Sequence, residues 1–95
     1  MKIITIYDVR TDQAGRMILG GTNDALDGES LSAIKALIGD KVRVISPGGQ
    51  SEKVTEVADV DCAQSLIGKK NIFILLKEPL EDADRLVHGE IQSLS

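Results

Sequence analysis

Aromatic residues are almost missing from this 95-residue chain, which has one tyrosine, Tyr7, one phenylalanine, Phe73, and no tryptophan. Proteins that grip single-stranded nucleic acid without sequence preference stack successive bases on aromatic rings, and two rings make a poor platform. Cysteine is equally scarce: Cys62 stands alone, so no disulfide within the chain can hold the fold and packing must do so. One unpaired thiol suits a reducing, cytoplasmic setting. Base is also in short supply, with eleven Lys and Arg against fifteen Asp and Glu and a formal charge of −4. An acidic domain repels phosphate backbones at long range. No segment approaches the ~20 apolar residues of a membrane helix. The apolar run that opens the chain is ended by Asp8, too soon for a signal peptide.

What the chain does have is aliphatic residue. Hydrophobic side chains make up 42% of it, enough for one core, and residues 1–95 are read as a single domain. A domain of this size buries about 60% or more of its unfolded surface.

The most telling stretch is Leu37-Ile38-Gly39-Asp40-Lys41-Val42-Arg43-Val44-Ile45. It reads as strand, turn, strand, with Gly39 free to take a positive φ at the turn and Val42 and Val44 alternating with polar neighbours. The run Asn71-Ile72-Phe73-Ile74-Leu75-Leu76-Lys77 suits a strand buried on both faces. Further strands are predicted over 2–9, 16–19, 54–60 and 87–94. In the first, Ile4 and Ile6 share one face, and Ile3, Thr5, Tyr7 and Val9 the other. The pair Gly20-Gly21 beside a strand suggests a bulge or a tight barrel corner. Ser46-Pro47-Gly48-Gly49 is the strongest turn signal. Residues 61–67 are read as a loop. Glu78, Glu81, Asp82 and Asp84 lie in a polar connection, read as a solvated loop.

Residues 28–38 are ambiguous. Leu31, Ile34 and Ile38 fit helical spacing, Asp27 could cap the start and Gly39 the end. The same residues could run as a short strand into the Gly39 turn. The reading adopted is one helical turn over 28–32 followed by extended chain. Six short strands with Gly, Pro and Asp breaks, and at most one or two short helical turns, give an all-β fold: a small six-stranded antiparallel closed barrel. Closure also removes the exposed strand edges that β-branched sequences must otherwise hide.

The order of these signals resembles domain 2 of the translational GTPases, the β-barrel that follows the nucleotide domain in elongation factor Tu. The matching pieces are Ile6-Tyr7-Asp8-Val9, Gly15-Arg16 with Gly20-Gly21, the stretch from Ile34 to Ile45, Lys53-Val54-Thr55-Glu56-Val57, and the closing stretch from Asn71 through Ile91. The connection from Asn23 to Ser32 is longer than the family's. The nucleotide-binding motifs are absent: there is no Gly-x4-Gly-Lys-Ser/Thr loop and no Asn-Lys-x-Asp. In elongation factor Tu this barrel helps hold the aminoacylated 3′ end of transfer RNA. The resemblance carries two polar positions of that pocket onto Asp8 and Asn71. The neighbouring acidic position is Tyr7 and the aromatic position is Arg10, so the stacking and amine-binding partners are altered. Read from the residues alone, Asp8 and Asn71 are ordinary strand-end and turn residues bonding local N–H groups.

Catalytic sets are poorly supplied. A Cys/His dyad would need Cys62 and His88, the only histidine, in one pocket. Zinc asks for three or four Cys, His or carboxylate ligands, a pattern one Cys and one His do not meet. Asp59 and Asp61 sit at i, i+2 on one strand face, a geometry open to acid–base work but equally that of surface acids. Neither glycine pair makes a phosphate loop. The expectation is a non-catalytic, stand-alone β-barrel module of the cytoplasm that binds a protein partner, with no cofactor, metal, nucleotide or membrane. The alternative is binding of structured or aminoacylated RNA through Asp8 and Asn71.

Overall fold

In the computed structural model, residues 1–81 and 83–94 are described, without the side chains of residues 83 and 84. Six strands close into an antiparallel barrel: β1 (Lys2–Thr11), β2 (Met17–Thr22), β3 (Lys41–Ile45), β4 (Glu52–Gln64), β5 (Lys70–Leu76) and β6 (Glu90–Ser93). Around the barrel the order is β1-β2-β5-β4-β3-β6. The barrel class expected from the alternating pattern is therefore what forms.

The interior is aliphatic. Ile3, Ile4, Ile6, Leu19, Ile34, Ile72, Ile74, Leu76 and Ile91 are all fully buried. Ile3, Ile4 and Ile6 all point inward, although strict alternation would put Ile3 outside. Breaks in register between Lys2 and Ile4 and between Ile6 and Asp8 make this possible. The second break lies opposite Gly21. A Cβ on Gly21 would overlap the Thr5 carbonyl oxygen and sit 2.9 Å from its carbon and 3.0 Å from Ile4 Cδ1. The barrel corner signalled by Gly20-Gly21 is this close crossing of β1 and β2.

The largest correction falls on residues 28–38. The chain there forms α1 (Leu31–Ile38) rather than one turn and a strand. Ser30 is the N-cap, its Oγ accepting the Ala33 N–H at 3.1 Å. Ile34 and Ile38 are buried in the core cluster. Gly39 does have a positive φ of 71°, but it ends a helix, its N–H donating to the Lys35 carbonyl at 2.9 Å. Of the two periods that the sequence allows here, the helical spacing of Leu31, Ile34 and Ile38 is the one the core packing selects. Short 3-10 turns over Asp24–Leu26, Pro47–Gly49 and Ala83–Leu86 complete the helical content.

Residues 61–64, expected in a loop, continue β4. Its first half pairs with β3 and its second with β5. The polar side chains there face outward from a strand, which mimics loop composition. Strand β5 is not buried on both faces: Ile72, Ile74 and Leu76 are buried, while Phe73 and Leu75 point out and are half-covered. The closing strand is shortened to Glu90–Ser93, because Val87 and His88 form a turn with His88 at φ 73°. In the expected acidic connection, Glu78 and Glu81 are exposed and Leu80 is buried; Asp82 and the Asp84 side chain lie outside the described residues.

Two substitutions test this packing. Gly21→Ala forces a methyl onto the β1 backbone and should cost at least the ~1–3 kcal/mol of ordinary overpacking. At Gly20 a methyl meets side chains alone, the edge of the Phe73 ring at 3.2 Å and Asp8 Cβ at 3.6 Å, so Gly20→Ala should cost clearly less. Urea midpoints of the two variants check the ranking, and equal losses contradict it.

Candidate functional site

The register of four strands arranges the outer wall in rows. Arg10 on β1 lies opposite Ile18 on β2, Ile18 opposite Leu75 on β5, and Leu75 opposite Asp59 on β4. The next row runs Asp8, Gly20, Phe73, Asp61 in the same way. Side chains two apart on a strand share a face, so apolar residues form the floor and charged residues the flanks. Gly20 contributes no side chain, and the Phe73 ring lies across the vacated space. The result is a groove of about 370 Å³ over Ile18, Phe73 and Leu75, with Arg10 and Asp12 on one side and Asp59 and Asp61 on the other.

Most charges here are spoken for. The Arg10 guanidinium is 2.5 Å from the Asp8 carboxylate and stands over the Phe73 ring, 5.7 Å from its centroid. Asp12 accepts the Ala14 and Arg16 N–H groups and pairs with the Arg16 side chain at 3.0 Å. Asp59 pairs with Lys35 of α1 at 3.2 Å. The Val60 N–H, and secondarily Lys35, hold the Asp59 carboxyl below its ordinary value of 3.8. It is ionised at neutral pH, which makes it a poor proton donor for acid–base work. Asp61 accepts the Cys62 N–H at 2.8 Å and has no cationic partner among the described residues.

Asp8 and Asn71 do not meet in one cavity. Asn71 sits in a third row with Thr22 and Ala63, one row along from Asp8 and two strands away, about 10 Å laterally. Asp8 is engaged by Arg10. The Cys62–His88 pair is also kept apart. Cys62 is opposite Ile72, Ile72 opposite Gly21, and Gly21 opposite Ile6, whose carbonyl accepts the His88 N–H at 2.7 Å. The thiol's strand and the strand beside the imidazole thus lie on opposite sides of the closed barrel, three strands apart around its wall. Among the described residues no group of three or more His, Cys, Asp or Glu is arranged to hold a metal ion.

A second outer feature was missed when residues 61–67 were read as a loop. The hairpin joining β4 to β5 closes with Ser65 N–H to Lys69 O at 2.7 Å and Gly68 N–H to Ser65 O at 3.1 Å, with Gly68 at φ 84°. This is a three-residue turn with a left-handed glycine. Its two leading positions are Leu66, at 107% relative exposure, and Ile67, at 81%. The β1–β2 turn repeats the hydrogen bonds, Asp12 N–H to Arg16 O and Gly15 N–H to Asp12 O, but carries Gln13 and Ala14 in the same places. The turn geometry does not call for apolar residues. The base of the hairpin is tied down: Lys69 pairs with Asp24 at 3.1 Å, the Lys70 N–H donates to Asp27 at 3.0 Å, and the Lys70 ammonium donates to the Glu29 carbonyl. Tyr7, 56% exposed, lines a depression shared with Asp24 and Lys69.

The fold and this outer wall define a class, a small closed antiparallel β-barrel with an apolar groove and an apolar hairpin tip. No protein-family model, no curated protein and no solved structure matches the chain.

The Asp59 pair gives a pH test. A carboxyl whose folded pKa is depressed adds stability that is full above its unfolded pKa and lost as pH falls through the folded one. Asp59 lies below 3.8 when folded. The gap in urea midpoint between the wild-type protein and Asp59→Asn should therefore hold above about pH 5 and shrink through more acid conditions. A gap independent of pH contradicts the assignment.

Proposed function

We propose that this chain is a non-catalytic interaction module that binds a protein partner through its outer wall. The observation that carries the reading is the hairpin tip, where Leu66 and Ile67 stand almost wholly in water on an anchored turn. Leaving two such side chains exposed forgoes about 1.5–3 kcal/mol each relative to burial, and the sister turn shows that polar and small residues serve equally well there. Association itself costs roughly 4–15 kcal/mol, so the tip acts as the centre of a wider contact. Tyr7 beside its base is a residue type common at such centres. The barrel is closed, so no strand presents an edge unpaired along its whole length, and the reading rests on side-chain surfaces.

The reading that this barrel is of the translation-factor type, and that it holds aminoacylated RNA through Asp8 and Asn71, draws less support. Asp8 is paired with Arg10 and stands apart from Asn71, and many functions share small barrels.

The test uses the whole chain as bait in extract of its native host, against a Leu66→Ser/Ile67→Ser variant. Both residues are exposed, so the variant should melt with the wild-type protein. A defined protein should be retained by wild type and lost by the variant; an identical captured set from both contradicts the reading. In a thermal-shift series, GTP, GDP and ATP with magnesium should leave the midpoint unmoved, since a ligand at ~100 times its Kd adds ~2.7 kcal/mol. A shift with aminoacylated transfer RNA, abolished by Asp8→Ala or Asn71→Ala, would replace the protein-partner reading with the RNA one.

A further inference from the structure

The groove on the outer wall has a chemistry of its own. Its floor is the aliphatic and aromatic surface of Ile18, Phe73 and Leu75, and its lining holds three carboxylates against one guanidinium. That guanidinium, Arg10, is committed to Asp8 and to the Phe73 ring, so the groove has no free cation to offer an anionic ligand. Asp12 and Asp59 are neutralised by Arg16 and Lys35. Asp61, beside Phe73 in the same row, is left with a backbone N–H as its hydrogen-bond partner. The surplus is thus one negative charge at the rim of an apolar trough, on a chain whose formal charge is already −4.

We propose that this groove receives a lysine or arginine side chain from an extended basic segment of a partner protein. The long aliphatic stem of such a side chain packs on apolar surface while its head stays polar. Here the stem lies along Ile18, Leu75 and the open part of the Phe73 ring, and the head reaches Asp61 with Asp59 next to it. A volume of about 370 Å³ is near the lower end of the ~300–1,000 Å³ of small-ligand sites. It has room for a long side chain and its neighbours in an extended peptide. Phe73 is half-covered and points away from the core, and Asp61 is exposed at a strand position whose pairing is made by the backbone. The inference rests on the protein-partner reading above and names the chemistry of the partner.

The probe is the pentapeptide acetyl-Ala-Arg-Ala-Arg-Ala-amide, titrated into the isotope-labelled full chain and followed by amide chemical shifts. The expected result is saturable shifts confined to Ile18, Asp59, Asp61, Phe73 and Leu75, weakening as salt rises. Asp61→Asn should weaken binding by about fivefold, the value of one exposed ion pair near the top of its usual range, and Phe73→Ser should weaken it as well. The variants' own spectra report that the barrel is intact. The same peptide with Glu in place of Arg should give no shifts. Shifts that are absent at about 5 mM peptide, scattered over the surface, unchanged by Asp61→Asn, or matched by the Glu peptide would each overturn the proposal. Its failure is separable from that of the module reading. A silent groove with tip-dependent capture intact removes the groove assignment alone. A responsive groove with capture indifferent to Leu66 and Ile67 removes the tip.

Discussion

The barrel depends on backbones approaching where no side chain fits. At the β1–β2 crossing the Thr5 carbonyl occupies the place of a Gly21 Cβ, and at the β6 entry the Ile45 carbonyl does the same for Gly89. The first lies beside the bulge of β1, where Ile4 and Ile6 both turn inward, and the second brings β6 close against β3. A side chain at either place would push two paired backbones apart and strain the closure of the barrel. The tight interior that results is almost wholly apolar, and its buried polar side chains among the described residues are all satisfied. A core of this kind has no chemistry to offer a ligand. The outer wall and the turns carry the charged and exposed side chains, whose spacing the strands set.

How much of this could be read from the residues differs element by element. The alternation of Val42 with Val44 and the glycine pair at 20–21 are local signals of barrel geometry, and the structure agrees with them; the run around Ile74 is a strand as expected, but with Phe73 and Leu75 outward rather than buried. Helix α1 was lost because its apolar residues fit two periods at once. The tie is broken by contacts far away in sequence, which bury Ile34 and Ile38. The end of β4 was lost because Asp61 and Gln64 are polar, and polar outward residues on a strand look like a loop until the partner strand is known. That error hid the hairpin tip. Had β4 been carried to Gln64, the exposed pair Leu66 and Ile67 would have stood at the turn in plain view.

The groove is a still more distant construction. Arg10, Ile18, Leu75 and Asp59 come from four strands, and nothing in their sequence spacing brings them into one row. Only the closed strand order does so. Asp8 and Asn71, taken from resemblance, lie on the same wall but in different rows. The wall is thus legible as a face in the alternation of β5, with Phe73 and Leu75 unexpectedly outward, and illegible as a site until the register is drawn.

The central claim is that the barrel holds an apolar hairpin tip ready for a partner before any partner arrives. Backbone amide order parameters at Leu66, Ile67 and Gly68 measure this directly. The bonds within the turn and from its base to Asp24, Asp27 and Glu29 predict values near the ~0.85 of rigid backbone. Values below ~0.6, typical of flexible segments, would mean that the tip is an ordinary mobile loop, and would contradict the account.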